Sequence, residues 1–219
     1  FPPVIVQPTK LSICDELDAN YYENNDQYAV FDLTVKNDEI TGGVGSWTVT
    51  YYETLADAQA DTNAIPDPTM YQNTDPGAQT VHVRVTDNDT GCFSLTTLTI
   101  RVLPNPTPTP DPTDLELCDD VNIVGPNDMI EAFDLTTYEV AIINGEAGVT
   151  ASYYTSLDDA LAGSNAIADA TMHTNEDPDN PGTAINPQTI YVRVTNGDDE
   201  TGLNGTGCFT IVDFDITVN

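Results

Sequence analysis

The strongest constraint on the fold is an internal repeat, because blocks of the first half of the chain recur in the same order in the second half. The segment LSICDE at 11–16 returns as LELCDD at 115–120, and AVFDLT at 29–34 returns as EAFDLT at 131–136. The further matched pairs are TYYETLADA with SYYTSLDDA, NAIPDPTM with NAIADATM, QTVHVRVT with QTIYVRVT, and TGCF with TGCF. The proline-rich stretch LPNPTPTPDPT between them predicts a stiff, extended linker. We therefore predict two domains, copy one at 1–106 and copy two at 107–219.

Each copy has the pattern of an all-β domain. Apolar and polar residues alternate in VHVRV and WTVTYY, and Gly, Pro, Asn and Asp clusters separate segments rich in Val, Ile, Thr and Tyr. The FDL block is predicted to be a further strand, and LADAQA with its counterpart LDDALA a short helix or a turn. About seven strands in each copy favour two tandem immunoglobulin-like (Greek-key) β-sandwich domains. Another Greek-key sandwich or a small barrel is the alternative.

The charge balance excludes several classes of partner. Five Lys+Arg stand against 36 Asp+Glu, a formal net charge of −31. Scattered cations in such an acidic chain do not form a nucleic-acid surface, and an anionic membrane is disfavoured for the same reason. No apolar run is long enough for membrane insertion. The chain starts at Phe1 without a signal-peptide pattern, so we expect that any secretion signal was removed or lies outside it.

The four cysteines occur as two in each copy, one near the start and one near the last strand. If the domains are independent, the predicted disulfides are Cys14 with Cys92 and Cys118 with Cys208. Pairings that cross the linker and tie the two copies together remain open. Either arrangement indicates an oxidising compartment, and hence a secreted, extracellular protein.

Acidic and amide side chains recur in two loops of each copy, one after the first cysteine and one before the second. Calcium takes six to eight oxygen ligands, which irregular loops at one end of a sandwich can supply. The disulfides within copies would draw the two loops of a copy together, so we predict calcium as the cofactor. The alternative is that these residues are ordinary turn formers. The candidate ligands are Asp15, Asp18, Asp26, Asp32, Asp87, Asp89, Asp119, Asn122, Asp128, Asp134, Asp198 and Asp199.

No pattern in the chain predicts catalysis. The two histidines, His82 and His173, align with tyrosines in the other copy, so neither belongs to a duplicated site. Trp47 and the paired tyrosines at 51–52 and 153–154 are a candidate sugar-stacking platform, although alternation places one tyrosine of each pair in the core. Arg84 and Arg193 recur at the same place in their strands, and we expect each to meet a carboxylate or a tyrosine ring on its sheet.

The order CD, acidic loop, FDLT, YY, NAI, QT-[VI]-x-V-R-V-T and TGC resembles the tandem repeats of large cell-surface adhesins of gliding Bacteroidota, which are associated with type IX secretion. In such repeats Asp-Gly often precedes the FDL block, where this chain has Gln27 and Met129. The resemblance implies immunoglobulin-like modules that serve as calcium-stiffened spacer or presentation units. Their partners would be neighbouring modules, surface glycans or another cell-surface protein. A carbohydrate-binding module of a secreted polysaccharide-active protein is the alternative.

Overall fold

The computed structural model describes residues 1–22, 24–119, 127–197 and 207–219. The chain divides into two compact units. The first unit consists of residues 1–16 and 25–104, and the second of residues 17–24 and 105–219. Residues 17–24, which the sequence repeat assigns to copy one, therefore belong to the second unit.

The first unit contains six strands and two short α-helices. In chain order they are β1 (Leu11–Cys14), β2 (Val30–Phe31), α1 (Asn37–Thr41), β3 (Trp47–Tyr52), α2 (Leu55–Ala60), β4 (Tyr71–Gln72), β5 (Ala78–Asp87) and β6 (Phe93–Leu103). The second unit repeats this order with β7 (Leu115–Leu117), β8 (Ala132–Phe133), α3 (Glu139–Ile142), β9 (Val149–Tyr154), α4 (Leu157–Ala162), β10 (His173–Thr174), β11 (Gln188–Asn196) and β12 (Phe209–Val218).

Each unit is a small sandwich-like all-β domain. The first has a four-stranded sheet in the order β1-β6-β5-β3 and a two-stranded sheet β2-β4, and the second unit has β7-β12-β11-β9 and β10-β8. The first strand of each unit pairs with the last in parallel, and the remaining pairs are antiparallel. The prediction of two tandem β-sandwich domains is confirmed. The first unit has six strands rather than about seven, and the described residues of the second unit also form six.

The alternation read from the sequence places the core correctly. Val81, Val83 and Val85 of β5 are fully buried and pack with Phe31 and Tyr71 of the small sheet. The second unit has the equivalent core, with Val192 and Val194 of β11 packed against Phe133. A core between the two sheets of each unit is the arrangement expected of a sandwich.

The FDL blocks differ from the prediction because their aspartates begin helices. Only Val30–Phe31 and Ala132–Phe133 are strands. Asp32 then caps a 3-10 helix over Leu33–Lys36, and Asp134 caps the equivalent one over Leu135–Tyr138. An aspartate side chain that accepts from a helical amide stabilises such a start more than strand continuation would. The helices predicted at LADAQA and LDDALA are present as α2 and α4.

Candidate docking site on the second unit

We call residues 17–24 the docking segment, and its residues 18–22 fold around the side chain of Asp18. Its Oδ1 accepts hydrogen bonds from the amides of Asn20 at 2.8 Å and Tyr22 at 3.0 Å. The amide of Asp18 in turn donates to the carbonyl of Tyr22. Tyr21 has a left-handed backbone with φ of 62°. This turn presents the two tyrosines in succession, and it uses Asp18 as a turn former.

The docking segment attaches to the start of β12 through Tyr21 and to Pro108 through Tyr22. The amide of Ile211 donates to the carbonyl of Tyr21 at 3.1 Å. The hydroxyl of Tyr22 donates to the carbonyl of Pro108 at 2.6 Å, and its ring packs against the core of the second unit. A tyrosine that buries its ring and satisfies its hydroxyl is a strong anchor. We call Pro108 together with residues 208–212 the receiving face.

The oxidation states of the cysteines contradict the predicted pairing. Cys14 and Cys208 are disulfide-bonded. Cys92 is a half-buried free thiol, and Cys118 is an exposed free thiol. The predicted bonds Cys14–Cys92 and Cys118–Cys208 are therefore wrong.

Strand direction explains why a bond within each copy is impossible. Cys14 lies beside Leu103, at the end of β6, whereas Cys92 immediately precedes the start of that strand. Eleven residues at about 3.3 Å each separate the two cysteines by roughly 35 Å. A disulfide needs Cα atoms within about 7 Å. In the second unit β7 likewise pairs with the end of β12, which leaves Cys118 and Cys208 at opposite ends of that strand.

The same geometry separates the two acidic loops of the first unit. Asp15 follows β1 at one end of β6, whereas Asp87 and Asp89 lie in the β5–β6 turn at its other end. The amides of Asp89 and Thr90 both donate to Asp87 Oδ1. These bonds lower the pKa of Asp87, the Asp89 bond most strongly. The two loops do not converge on one site.

Asp15 and Asp119, the residues after the first cysteines, each accept from an amide in left-handed backbone. Gln27 (φ 65°) donates to Asp15 Oδ2 at 2.7 Å, and Met129 (φ 62°) donates to Asp119 Oδ2 at 3.1 Å. Left-handed backbone favours glycine. The resemblance implies that glycine often stands at these positions, and in this chain the hydrogen bond to the aspartate holds a larger residue there.

The two aspartates differ in their remaining oxygen. Asp15 Oδ1 accepts from the amide of Glu16 at 2.9 Å. Burial raises the pKa of the Asp15 carboxyl, these backbone bonds oppose the rise, and nearby Asp26 adds to it. Asp119 Oδ1 is buried and accepts no hydrogen bond from any described residue.

Most of the other candidate ligands accept hydrogen bonds from nearby backbone amides. Asp26 accepts from Tyr28, Asp32 from Thr34, Asp128 from Ile130 and Asp134 from Thr136. Asn122, Asp198 and Asp199 lie outside the described residues. Within the described ranges, no three or more His, Cys, Asp or Glu side chains are grouped so that they could hold a metal ion. Calcium binding thus stays a prediction.

Sequence reasoning missed a buried asparagine that organises each unit. Asn73 accepts from the amide of Ala29 at 2.7 Å and donates to the carbonyls of Gln27 and Asp75. Asn175, fully buried, makes the equivalent bonds to Glu131, Met129 and Ile185. The signal was present, because TMYQN and TMHTN place an asparagine at the same position in both copies.

The recurring arginines Arg84 and Arg193 each connect a strand to a short helix, which reinforces the fold. Arg84 stacks on the ring of Phe93 and donates to carbonyls at the end of α2. Arg193 stacks on Phe209 and donates to carbonyls at the end of α4. The stacked ring is therefore phenylalanine rather than the expected tyrosine. Among the described residues, the expected carboxylate is found only for Arg84, whose Nε lies 3.7 Å from Asp61 Oδ2. A cation at a helix C-terminus is electrostatically favourable.

The paired tyrosines do not form a surface platform. Tyr51, Tyr52, Tyr153 and Tyr154 are all buried, on the two faces of their strands. Tyr51 donates to the carbonyl of Leu33, and burial keeps its pKa far above the ordinary value. The expectation that only one tyrosine of each pair is buried is corrected here, because helices α2 and α4 cover the second face.

Residues 10–108 and 114–219 each match the family described as the Flavobacterium inter-domain disulphide bond domain, or FIDD domain. The chain belongs to this family. Its two FIDD domains agree with the two copies found in the sequence and with a Bacteroidota origin of the repeat. A comparison with curated proteins gave no match.

Two solved structures show only distant likeness to the tandem FIDD domains. One is Drosophila N-cadherin EC1-4, at 12% identity and a TM-score of 0.24, over 82% of this chain and 42% of that chain. The other is a SusE-like surface-located polysaccharide-binding protein from the Bacteroides thetaiotaomicron heparin utilisation locus. It has 12% identity and a TM-score of 0.29, over 98% of this chain and 34% of that chain. The chain thus spans less than half the length of either structure.

The disulfide-bonded cysteines place these FIDD domains in an oxidising, extracellular-type compartment. Across the described part of the chain, no helix has both the length and the apolar character needed to cross a bilayer.

Proposed function

We propose that the two units are non-catalytic repeat modules of an extracellular adhesion protein, in which they act as spacer and presentation units. In this proposal Cys14 and Cys208 form the inter-domain disulfide of the family. The observation that supports it is the combination of cysteine states: the first cysteine of copy one and the second of copy two are oxidised, while the other two are free. A covalent link between neighbouring repeats limits how far a chain under tension can extend.

Peptide mapping under non-reducing conditions tests this proposal. Proteolysis of the native chain with its free thiols blocked should release a disulfide-linked pair that contains Cys14 and Cys208. The same digest should contain Cys92 and Cys118 as blocked, unlinked peptides. Linked pairs within copies would contradict the proposal, and so would four free thiols in protein purified from an oxidising compartment.

Calcium stiffening is a second element of the proposal, and we assign it to copy two. Both Asp15 oxygens already accept backbone hydrogen bonds, whereas Asp119 Oδ1 is buried without a partner among the described residues. A buried carboxylate oxygen without a hydrogen-bond donor can be satisfied by a hard cation. Asp119 would then contribute one ligand and hold the Met129 amide with its other oxygen.

Thermal unfolding in millimolar calcium and in chelator tests this element. Calcium should raise the melting temperature, and Asp119→Asn should remove the shift. Asp15→Asn is the matched control in copy one and should keep it. An unchanged melting temperature in calcium, or a shift that Asp119→Asn leaves intact, would eliminate the calcium role.

A cleft in the second unit favours carbohydrate binding as the alternative function. The cleft has a volume of about 610 Å³, and its lining includes His173, Glu176, Asp177, Gln188 and Tyr191. His173 Nε2 lies 2.9 Å from Gln188 Oε1. Polar groups beside an aromatic ring suit sugar hydroxyls and a sugar face.

A glycan array distinguishes the two functions. Saturable binding that Tyr191→Ala abolishes, and that exposed Tyr138→Ala leaves unchanged, would support a carbohydrate-binding module. A spacer without glycan affinity should give no saturable signal with the wild-type chain.

A further inference from the structure

The cleft of the second unit lies at the start of β11, where the neighbouring strand β9 has already ended. β11 pairs with β12 over residues 188–195, but with β9 only from Tyr191 onward. Thr155, which directly follows β9, and Thr174, which ends β10, are among the residues that line the cleft. The loop between β10 and β11 supplies much of the remaining lining. The cleft is therefore formed within a single unit.

The equivalent side chains of the first unit bind one another. The copies align three pairs of residues here: Glu53 with Thr155, Tyr71 with His173 and Gln79 with Gln188. The Tyr71 hydroxyl donates to Glu53 Oε1 at 3.2 Å and accepts from Gln79 Nε2 at 2.7 Å. Gln79 Nε2 also donates to the Thr74 hydroxyl, and Gln79 Oε1 accepts from the Thr74 amide. Both amide hydrogens and the oxygen of this glutamine are thus used inside the unit.

The glutamine of the second unit keeps a free donor. Gln188 is only 6% exposed, and its Oε1 lies 2.9 Å from His173 Nε2, which donates because an amide oxygen only accepts. Gln188 Nε2 donates to no residue in the described ranges. The shorter side chains of His173 and Thr155 stand where Tyr71 and Glu53 complete the network of the first unit. Because Gln188 lines the cleft, this donor is available to a ligand.

The cleft is also acidic. Glu176, Asp177 and Asp179 line it, and its described lining residues include no Lys or Arg. Glu176 Oε1 accepts from the amide of Gly182 at 2.6 Å, and Asp177 Oδ1 accepts from the amide of Asp179 at 2.9 Å. These bonds hold two of the carboxylates in place and leave the second oxygen of each for another donor. A ligand hydroxyl can donate to such an oxygen, whereas a ligand carboxylate or sulfate would meet a charge of its own sign.

We propose that the cleft binds an uncharged glycan and rejects acidic glycans, such as uronates and sulfated sugars. The inference deepens the alternative function, carbohydrate binding, and rests on it. Gln188 Nε2 donates to a sugar oxygen, and the second oxygens of Glu176 and Asp177 accept from sugar hydroxyls. The first unit is not expected to bind, because its equivalent groups are engaged with one another.

A titrated glycan microarray with the whole chain tests the inference. The probes are neutral hexasaccharides of glucose, mannose and galactose, each printed beside the uronate made by oxidation at C6. Members of a pair share a backbone and differ in charge. At least one neutral member should bind saturably and about tenfold or more tightly than its uronate, since juxtaposed like charges oppose association. The ratio of the two affinities should shrink in high salt, which screens the repulsion.

Glu176→Gln tests the role of charge while it keeps the shape of the cleft. The ratio of neutral to uronate affinity should fall about fivefold, because one repelling carboxylate is lost. Asp75→Asn, which removes one charge from an exposed position of the first unit, is the matched control and should leave the ratio unchanged.

The double variant Thr155→Glu with His173→Tyr gives the second unit the side chains that close the network of the first. It should fold, because the first unit already contains this network, and an unchanged or higher melting temperature checks that. Binding of the neutral glycan should be lost. Binding that survives in the folded double variant would overturn the inference.

The array separates failure of the inference from failure of the function on which it rests. If no glycan binds saturably, carbohydrate binding and the inference both fail. If a uronate binds as tightly as its neutral partner, carbohydrate binding stands and the inference alone is overturned.

Discussion

The start of β12 in the second unit is buried under the docking segment, whereas the equivalent start of β6 in the first unit is open to solvent. The two strands have the same neighbours in their own sheets and the same stacked arginine. The difference therefore comes from residues 17–24, which by sequence lie in copy one and by structure in the second unit. A FIDD sequence repeat and a structural unit are not the same segment of chain.

What the two units share shows which interactions serve a single unit. The buried asparagine, the arginine clamp and the aspartate after the first cysteine occur in both. These contacts lie within one unit and do not depend on the docking segment. Substitutions at shared positions should thus act alike in the two units, and substitutions at the receiving face should not.

The largest difference between the units should come from the cysteines. Joint replacement of Cys14 and Cys208 by serine should lower the free energy of unfolding by about 5 kcal/mol, the chain-entropy value for a loop of roughly two hundred residues. Urea unfolding followed by circular dichroism measures this. Cys92→Ser, at the position equivalent to Cys208, should change it by less than about 0.5 kcal/mol. Equal losses at both positions would remove the distinction between the two faces.

The buried asparagines should give a smaller effect that is the same in both units. Asn73→Ala and Asn175→Ala each leave one amide and two carbonyls without their partner. We expect each to cost about 3 kcal/mol in the free energy of unfolding, because unsatisfied buried groups lose their full solvation. Gln72→Ala, at an exposed neighbouring position, is the control and should be close to neutral. A large loss in one unit alone would show that the asparagines are not equivalent.

Residue patterns predicted the parts of the fold that depend on local sequence. The alternation at Val81, Val83 and Val85 and the helices α2 and α4 follow from periodicity within one segment. The cysteine pairing does not, because it depends on β1 running parallel to β6 and reaching only its far end. An alternating strand looks the same in either direction, so sequence reasoning joined ends that lie about 35 Å apart.

The candidate ligands show a second limit. Five predicted ligands each accept a hydrogen bond from the amide two residues further along the chain: Asp26, Asp32, Asp87, Asp128 and Asp134. The recurrence of these aspartates between the copies therefore indicates recurring turns as much as recurring metal ligands. Asn73 and Asn175 recur equally well, but their long-range partners become visible only when the sheets are assembled.

Loss of one hydroxyl in the docking segment should have a moderate effect. Tyr22→Phe removes the hydrogen bond to the carbonyl of Pro108 and keeps the ring, so it should cost about 1 kcal/mol. Hydrogen exchange at the amide of Ile211 should also become faster. Tyr28→Phe is the control, since the Tyr28 hydroxyl has no hydrogen-bond partner in the described structure. Unchanged exchange at Ile211 would show that Tyr22 does not hold the docking segment in place.

We expect the smallest effect from Asp213, a carboxylate on the exposed side of β12 that has no counterpart in β6. Partial desolvation of its carboxyl raises the pKa of Asp213, and the carboxylates of Asp215, Asp111 and Asp114 raise it further, whereas the first unit has Thr97 at this position. The folded chain thus holds this proton more tightly than the unfolded chain. Stability therefore falls as the pH rises through the interval between the two pKa values, and the penalty is complete above it.

Asp213→Thr should remove that penalty and stabilise the chain at pH 7. Because the side chain is exposed and screened by solvent, the gain should be at most about 0.5 kcal/mol. The gain should disappear below about pH 3, where the carboxyl is protonated in both states, and shrink in high salt. Asp75→Asn, which removes one charge from an exposed position in the first unit, is the control for net charge. If Asp75→Asn raised the free energy of unfolding by the same amount, the effect would come from the −31 net charge of the chain rather than from the acidic surface of β12.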